Sequence, residues 1–339
     1  MTISVRQHEI LLKTLELYIQ TGTPVGSNAL TDVMDASSST IRAELAALES
    51  EGLLTHPHTS AGRIPTDAGY RYYVDALMAE DLHEEEMFFR VPEGFGNVDE
   101  LLQRVSEGMS EVTRLLAVVA GPSALGDPVS RVDHLPLREG THLIVVSTES
   151  GHASSTTITL PSSVEDEELH EILRSLNAFL GDRLVDAHPI TAARRFLADY
   201  NPLAVGALLE AVEVLNQTTE RGLFIRGASA LFARLDDLGS ANLAAVVEIF
   251  ERRRWLLKLV SDALERSVSN SSGVFVSIGA ESGFYNMAST SLVAAAYTHR
   301  QRPYGVVTLI GPKRMEYDTA ISTVRSAAET LTYCLDSRF

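Results

Sequence analysis

Four stretches in the first eighty residues place apolar side chains at helical spacing, and a turn or capping signal bounds each one. Ser4 with Gln7 forms a capping box ahead of Ile10, Leu11, Leu15, Tyr18 and Ile19, and Gly22 closes that helix. A short helix over 28–34 follows, with Ser27 as N-cap and Leu30, Val33 and Met34 facing inward. The run 35–38 supplies a turn. A third helix over 39–50 buries Ile41, Leu45 and Leu48 and stops before Gly52, which leaves Thr40, Arg42, Ala43 and Ala47 toward the other side. Residues 53–56 and 63–65 read as two short strands around a Ser60-Ala61-Gly62 tip. Thr66-Asp67 then starts a fourth helix carrying Tyr70, Tyr73, Val74 and Leu77 at i, i+3, i+4, i+7.

Beyond residue 80 the pattern changes twice. Residues 81–96 join an acidic run to Pro92, Gly94 and Gly96 and read as a linker. Asn97 with Glu100 opens a helix expected to reach residue 120, with Val98, Leu101, Leu102, Val105, Met109, Val112, Leu115, Leu116 and Val119 on one face. Alternating and β-branched positions over 131–160 predict strands, with a hairpin around Gly151-His152. Strand patterns return at 273–278, 291–299 and 303–310, before a closing helix over 317–335. Helical patterns at 202–221 and 241–267 separate the two strand groups, which suggests an α+β domain with an inserted helical one.

The chain has 339 residues, 45% of them apolar, enough for two or three domains. No apolar run approaches the roughly 18 residues of a membrane helix, and the N-terminus lacks the features of a signal peptide, so a cytoplasmic protein without membrane contact is expected. The single cysteine, Cys334, excludes an intramolecular disulfide and reads as a small apolar residue. The net charge of −17 is unevenly spread, at −3 over residues 1–74 and −8 over 75–100. DNA binding by so acidic a chain has to rest on few phosphate contacts per subunit, helix N-terminal amides and pairing of two subunits.

The eleven residues 57–67, PHTSAGRIPTD, place an Arg, a His and several small residues at a loop between short strands. A winged helix-turn-helix holds DNA with that arrangement. The longer stretch TIRAELAALESEGLLTHPHTSAGRIPTDAGYRYYVD, residues 40–75, resembles the N-terminal domain of the HrcA family, repressors of bacterial chaperone operons. The similarity returns near the C-terminus in VSIGAES, SLVAAAY and YGVVTLIGPKRMEYDTAI. The resemblance implies an α+β multidomain protein: an N-terminal winged helix-turn-helix, then a GAF-like α/β domain with an inserted, mostly helical dimerising domain. Expected bounds are 1–80 for the winged helix, 81–96 for the acidic linker, 97–190 with 271–339 for the GAF-like domain including its leading helix 97–120, and 191–270 for the insert. It further implies a homodimer on an inverted-repeat operator in double-stranded DNA, release on heat stress, and chaperonin as a partner in folding.

Candidate DNA contacts follow the same frame. Arg42 is the sole long cation of the third helix, placed for guanine contact, with pairing to Glu49 or Glu51 as the alternative. Ser38, Ser39 and Thr40 offer hydroxyls and free amides to phosphate, or cap the helix. Ala43 stands where the family usually has Asn, exchanging a bidentate adenine contact for a methyl contact to thymine. On the wing, Arg63 beside Gly62 suits the minor groove or phosphate, against a salt bridge to Asp67; His58, Thr59 and Ser60 suit phosphate bonding or turn chemistry. In the fourth helix Tyr70 and Tyr73 read as core, leaving Arg71 and Tyr72 outward, Arg71 toward the DNA backbone. His56 and His58 share a strand face without a third ligand, so no metal is expected. Nor is a cofactor or a catalytic constellation: the chain has no G-x-S-x-G, GK[ST], HExxH or paired cysteines. The segment 279–283, GAESG, reads as an anion-binding or plain turn. The rival functional reading is a winged-helix regulator controlled by a small molecule in its GAF-like domain.

Overall fold

The computed structural model describes residues 3–57, 62–79, 95–122, 129–138, 140–148, 153–161, 163–181, 189–217, 222–233, 253–270, 272–283 and 288–338. The expected linker therefore lies almost wholly outside the described residues. The chain divides into two compact units, Met1–Ala120 with Phe224–Phe339 and the intervening Gly121–Leu223.

The first unit opens with α1 (Val5–Thr21), α2 (Ser27–Thr31), α3 (Ser38–Ser50), β1 (Leu54–Thr55), β2 (Ile64–Pro65) and α4 (Asp67–Ala79). Local signals set most of the ends. The Ser4–Gln7 capping box is formed, and Gly22 caps α1 at φ 69°. Thr66 Oγ1 accepts from the Gly69 amide at the start of α4 and donates to the Gly52 carbonyl at 2.6 Å, joining helix and wing. Two ends differ from expectation. Gly26, not Ser27, is the N-cap of α2, because Ser27 is buried and bonded to Ser38; Val33 lies beyond this five-residue helix and is 51% exposed. Ile10, Leu11, Leu15, Leu30, Ile41, Leu48, Leu53 and Val74 are fully or almost fully buried and form the interior of this head.

After residue 95, α5 (Val98–Thr113) ends at Arg114 in the left-handed region, φ 52°, and the chain turns into β3 (Leu116–Ala120), buried at every position. The expected helix to 120 is therefore broken. The run Leu115 to Ala120 is apolar throughout, and such a run fits a strand covered on both faces as well as a helix; burial decides for the strand. β3 joins a five-stranded sheet ordered β7-β3-β10-β9-β8, with β7 (Leu223–Arg226), β8 (Val274–Ile278), β9 (Thr290–His299) and β10 (Arg302–Pro312). The β8/β9, β9/β10 and β10/β3 pairs are antiparallel. Val293, Ala295 and Tyr297 share a core with α5, with α11 (Tyr317–Arg338) and with the head. Strand alternation turns Leu292 and Ala294 to the opposite face, where α10 (Arg253–Ser269) packs across β8–β10. A short helix, α9 (Ala228–Ala233), follows β7. Gly279–Ser282 is a single 3-10 turn after β8.

The second unit has its own antiparallel sheet, β4 (Val129–Arg138), β5 (Thr141–Thr148) and β6 (Ala153–Thr159), in that order. Helices α6 (Asp166–Gly181), α7 (Pro189–Phe196) and α8 (Pro202–Gln217) accompany it. Val132, Ile144, Val146 and Ile158 meet Leu169, Ile172, Leu173, Leu208 and Val212 in a separate core. Asn177 of α6 clamps the β4 edge, accepting from the Val132 amide and donating to its carbonyl, both at 2.8 Å. The two strand groups thus form two sheets rather than one interrupted sheet, and the intervening unit is 121–223 instead of the expected helical block at 191–270. Among the described residues the strands 129–159 pair only with each other, and α10 packs on the first sheet.

Candidate nucleic-acid interface

Helices α2 and α3 form the helix-turn-helix, and the start of α3 is built from hydroxyls. Ser37 Oγ accepts from the Thr40 amide at 3.2 Å and lies within 2.9 Å of Ser39 Oγ and 2.8 Å of Thr40 Oγ1. Ser38 turns the other way, donating to Asn28 Oδ1 at 3.0 Å and meeting Ser27 Oγ at 3.0 Å. Ser38 therefore ties α3 to α2, while Ser39 lies exposed and Thr40 half-buried beside the free amides of the helix N-terminus. Arg42 and Ala43 are exposed on the next turn, opposite buried Ile41, Leu45 and Leu48. Among the described residues Arg42 has no ion-pair partner; neither Glu49 nor Glu51 takes it.

Glu49 serves the wing instead. Its Oε2 meets Arg63 Nη2 at 2.8 Å, and its Oε1 meets His56 Nδ1, so one carboxylate on α3 gathers a side chain from either side of the wing. Arg63 also pairs its backbone with Val25 in both directions at 2.8 Å. Gly62 is required beside this bridge, since a Cβ there would lie 2.5 Å from the Val25 carbonyl carbon. The Arg63 side chain is three-quarters covered and its guanidinium is bound to Glu49, not to the Asp67 that sequence spacing suggested. His58, Thr59 and Ser60 lie outside the described residues.

Arg71 occupies a different set of contacts from the outward one the sequence suggested. Its guanidinium forks onto Glu281, donates to the Val276 carbonyl at 2.8 Å and reaches Asp75 at 3.5 Å. Burial works against the Glu281 charge, but the Arg71 fork and the Ile278 amide outweigh it and hold the carboxyl below its ordinary value. Sequence reasoning missed Glu281 because it stands 210 residues from Arg71; its one local signal was the polar turn GAESG. Tyr70 and Tyr73 are buried, as their spacing predicts.

A family model described as the winged helix-turn-helix transcription repressor, HrcA DNA-binding, matches residues 2–76, and one described as the HrcA protein C terminal domain matches residues 99–321. The chain belongs to the HrcA family. It is similar to the heat-inducible transcription repressor HrcA of Xylella fastidiosa, 33% identical over 342 residues with 99% of this chain and 97% of the relative covered. The same repressor of a Nocardioides species is 30% identical, with 98% of each covered. A crystal structure described as a hypothetical protein at 2.2 Å resolution shares the fold with a TM-score of 0.65 at 24% identity, over 99% of both chains. As an HrcA protein, this chain is a heat-inducible transcription repressor with a winged-helix DNA-binding domain, and not an enzyme. No described helix is long and apolar enough to cross a membrane.

Proposed function

We propose that the repressor acts as a homodimer on an inverted-repeat operator upstream of chaperone genes, leaves it on heat stress, and regains its folded state with help from chaperonin. The observation that carries the DNA reading is the α3 surface, where Arg42, Ala43 and Ser39 stand exposed on a hydroxyl-rich helix start with Thr40 beside them. In this reading Arg42 and Ala43 meet base edges in the major groove, Ser39, Thr40 and the free amides hold phosphate, and His58, Thr59 and Ser60 add phosphate contacts. Ser38 and Arg63 hold the α2–α3 pair and the wing in shape for that contact.

Dimerisation is assigned to the unit 121–223, and the five-stranded sheet with its helices to the GAF-like domain. Of the ten large apolar residues that stand exposed among the described ones, five fall in that unit: Leu135, Leu137, Phe196, Leu203 and Val214. Leu135 pairs with Leu143 across strands on the side of the sheet away from the helices, an apolar patch suited to a second copy. The experiment is fluorescence anisotropy of a labelled inverted repeat against a scrambled duplex, before and after warming, with and without chaperonin. Preference for the repeat, lost on warming and restored with chaperonin, is expected. Equal affinity for both duplexes refutes the operator reading.

One feature favours ligand control as a second reading. A cleft of about 570 Å³ beside β8 is lined by Arg266, Asn270, Phe275 and Ser277, and among the described residues the buried Ser277 Oγ has no hydrogen-bond partner. A thermal-shift panel of small metabolites tests it, and a flat panel counts against it.

A further inference from the structure

The head meets the core through a ring contact, Tyr70 on α4 against Tyr317 at the start of α11 with centroids 6.0 Å apart, framed by charged ties. On α4, Asp67 Oδ1 accepts from Lys313 Nζ at 2.6 Å, and Arg71 forks onto Glu281, with 2.9 Å between Nε and Oε1. Glu281 is seated in turn by the Ile278 amide at 2.9 Å. From the end of β10, Arg314 Nη1 donates to the Ile19 carbonyl near the C-terminus of α1, at 2.9 Å. Asp67 and Arg71 lie four residues apart on one stripe of α4, and their partners on the core have the complementary order. Sliding α4 by one turn sets like charges against each other, Asp67 toward Glu281 or Arg71 toward Lys313. Apolar surface alone tolerates such a slide, whereas alternating charge fixes one register.

We propose that Asp67–Lys313 and Arg71–Glu281 form a clasp that sets the angle of α3 to the core, and thereby the half-site spacing that the assembled repressor accepts. The four are positioning residues and touch no DNA. The inference rests on the operator reading above, so its test has an arm that needs no operator. The full chain is measured against a single half-site and against inverted repeats whose centre is lengthened or shortened one base pair at a time. The wild type is expected to favour one spacing sharply. Arg71→Gln and Lys313→Gln keep the half-site affinity, lose about ten-fold at the favoured spacing and flatten the profile. Arg71→Lys, which keeps the charge without the fork, falls between, and a melting curve establishes that each variant is folded. An unchanged profile in the double variant overturns the clasp; so does an equal loss on the half-site, which makes Arg71 a DNA contact.

The second arm uses spin labels at Asp32→Cys on the head and Glu329→Cys on α11, in a Cys334→Ala background. A distance distribution that is narrow in the clasped protein and broad in the double variant supports the clasp whatever the operator does. Equal widths overturn it. A wild type indifferent to spacing but with a clasp-dependent width refutes the operator reading alone.

Discussion

At the scale of residues, the proposed operator reading assigns discrimination to Arg42. Replacing it with Ala is expected to remove about 1–3 kcal/mol of preference at one base pair per half-site while nonspecific binding falls much less, measured by competition across single base-pair variants. Ala43→Asn is expected to move preference toward adenine at the neighbouring position. Loss of Arg63 acts differently. The pair with Glu49 is partly covered, so Arg63→Ala is expected to lower stability by about 1 kcal/mol, read from urea unfolding. A pH effect belongs to the second unit. Burial, together with nearby His142 and His170, holds His134 below the usual imidazole range, against the opposing pull of Asp166 and Asp133. The unfolded chain then takes up the proton first, so stability is full above about pH 6.5 and declines as pH falls below it. Amide exchange in β4 and β5 should accelerate on acidification, and His134→Asn should flatten the response. Exposed Arg42 and buried Leu48 were legible from spacing alone. The partners of Arg63 and Arg71 were not, because Glu49 and Glu281 come to them through the wing and the core sheet rather than along the chain.

At the scale of elements, most of the head was legible because α1, α3 and α4 carry their own period and start signals, whereas the five-residue α2 has no side-chain cap and its bounds were missed. The α5–β3 junction was not legible either. Arg114 holds a left-handed C-cap that ordinarily announces itself as glycine, and the apolar run after it satisfies either periodicity. Arg114→Gly is expected to stabilise the chain by up to about 1 kcal/mol, seen as a higher urea midpoint with an unchanged slope. A smaller effect, or a loss, means that the Arg114 side chain contributes what its backbone costs.

At the scale of the molecule, pairing decides which strand belongs to which sheet, and periodicity carries no pairing information. The strands at 129–159 and 274–312 look alike in sequence, yet they close separate cores in separate units. Charge also acts at this scale. A protein of net charge −17 whose head has few free cations gains little from counterion release, which is why the proposed reading has two heads acting together on one operator. Sedimentation velocity of the full chain mixed with a labelled inverted repeat tests that account most directly. Two chains on each duplex, bound far more tightly than to a single half-site or a scrambled repeat, is the predicted result. One chain per duplex, or equal binding to all three, contradicts it.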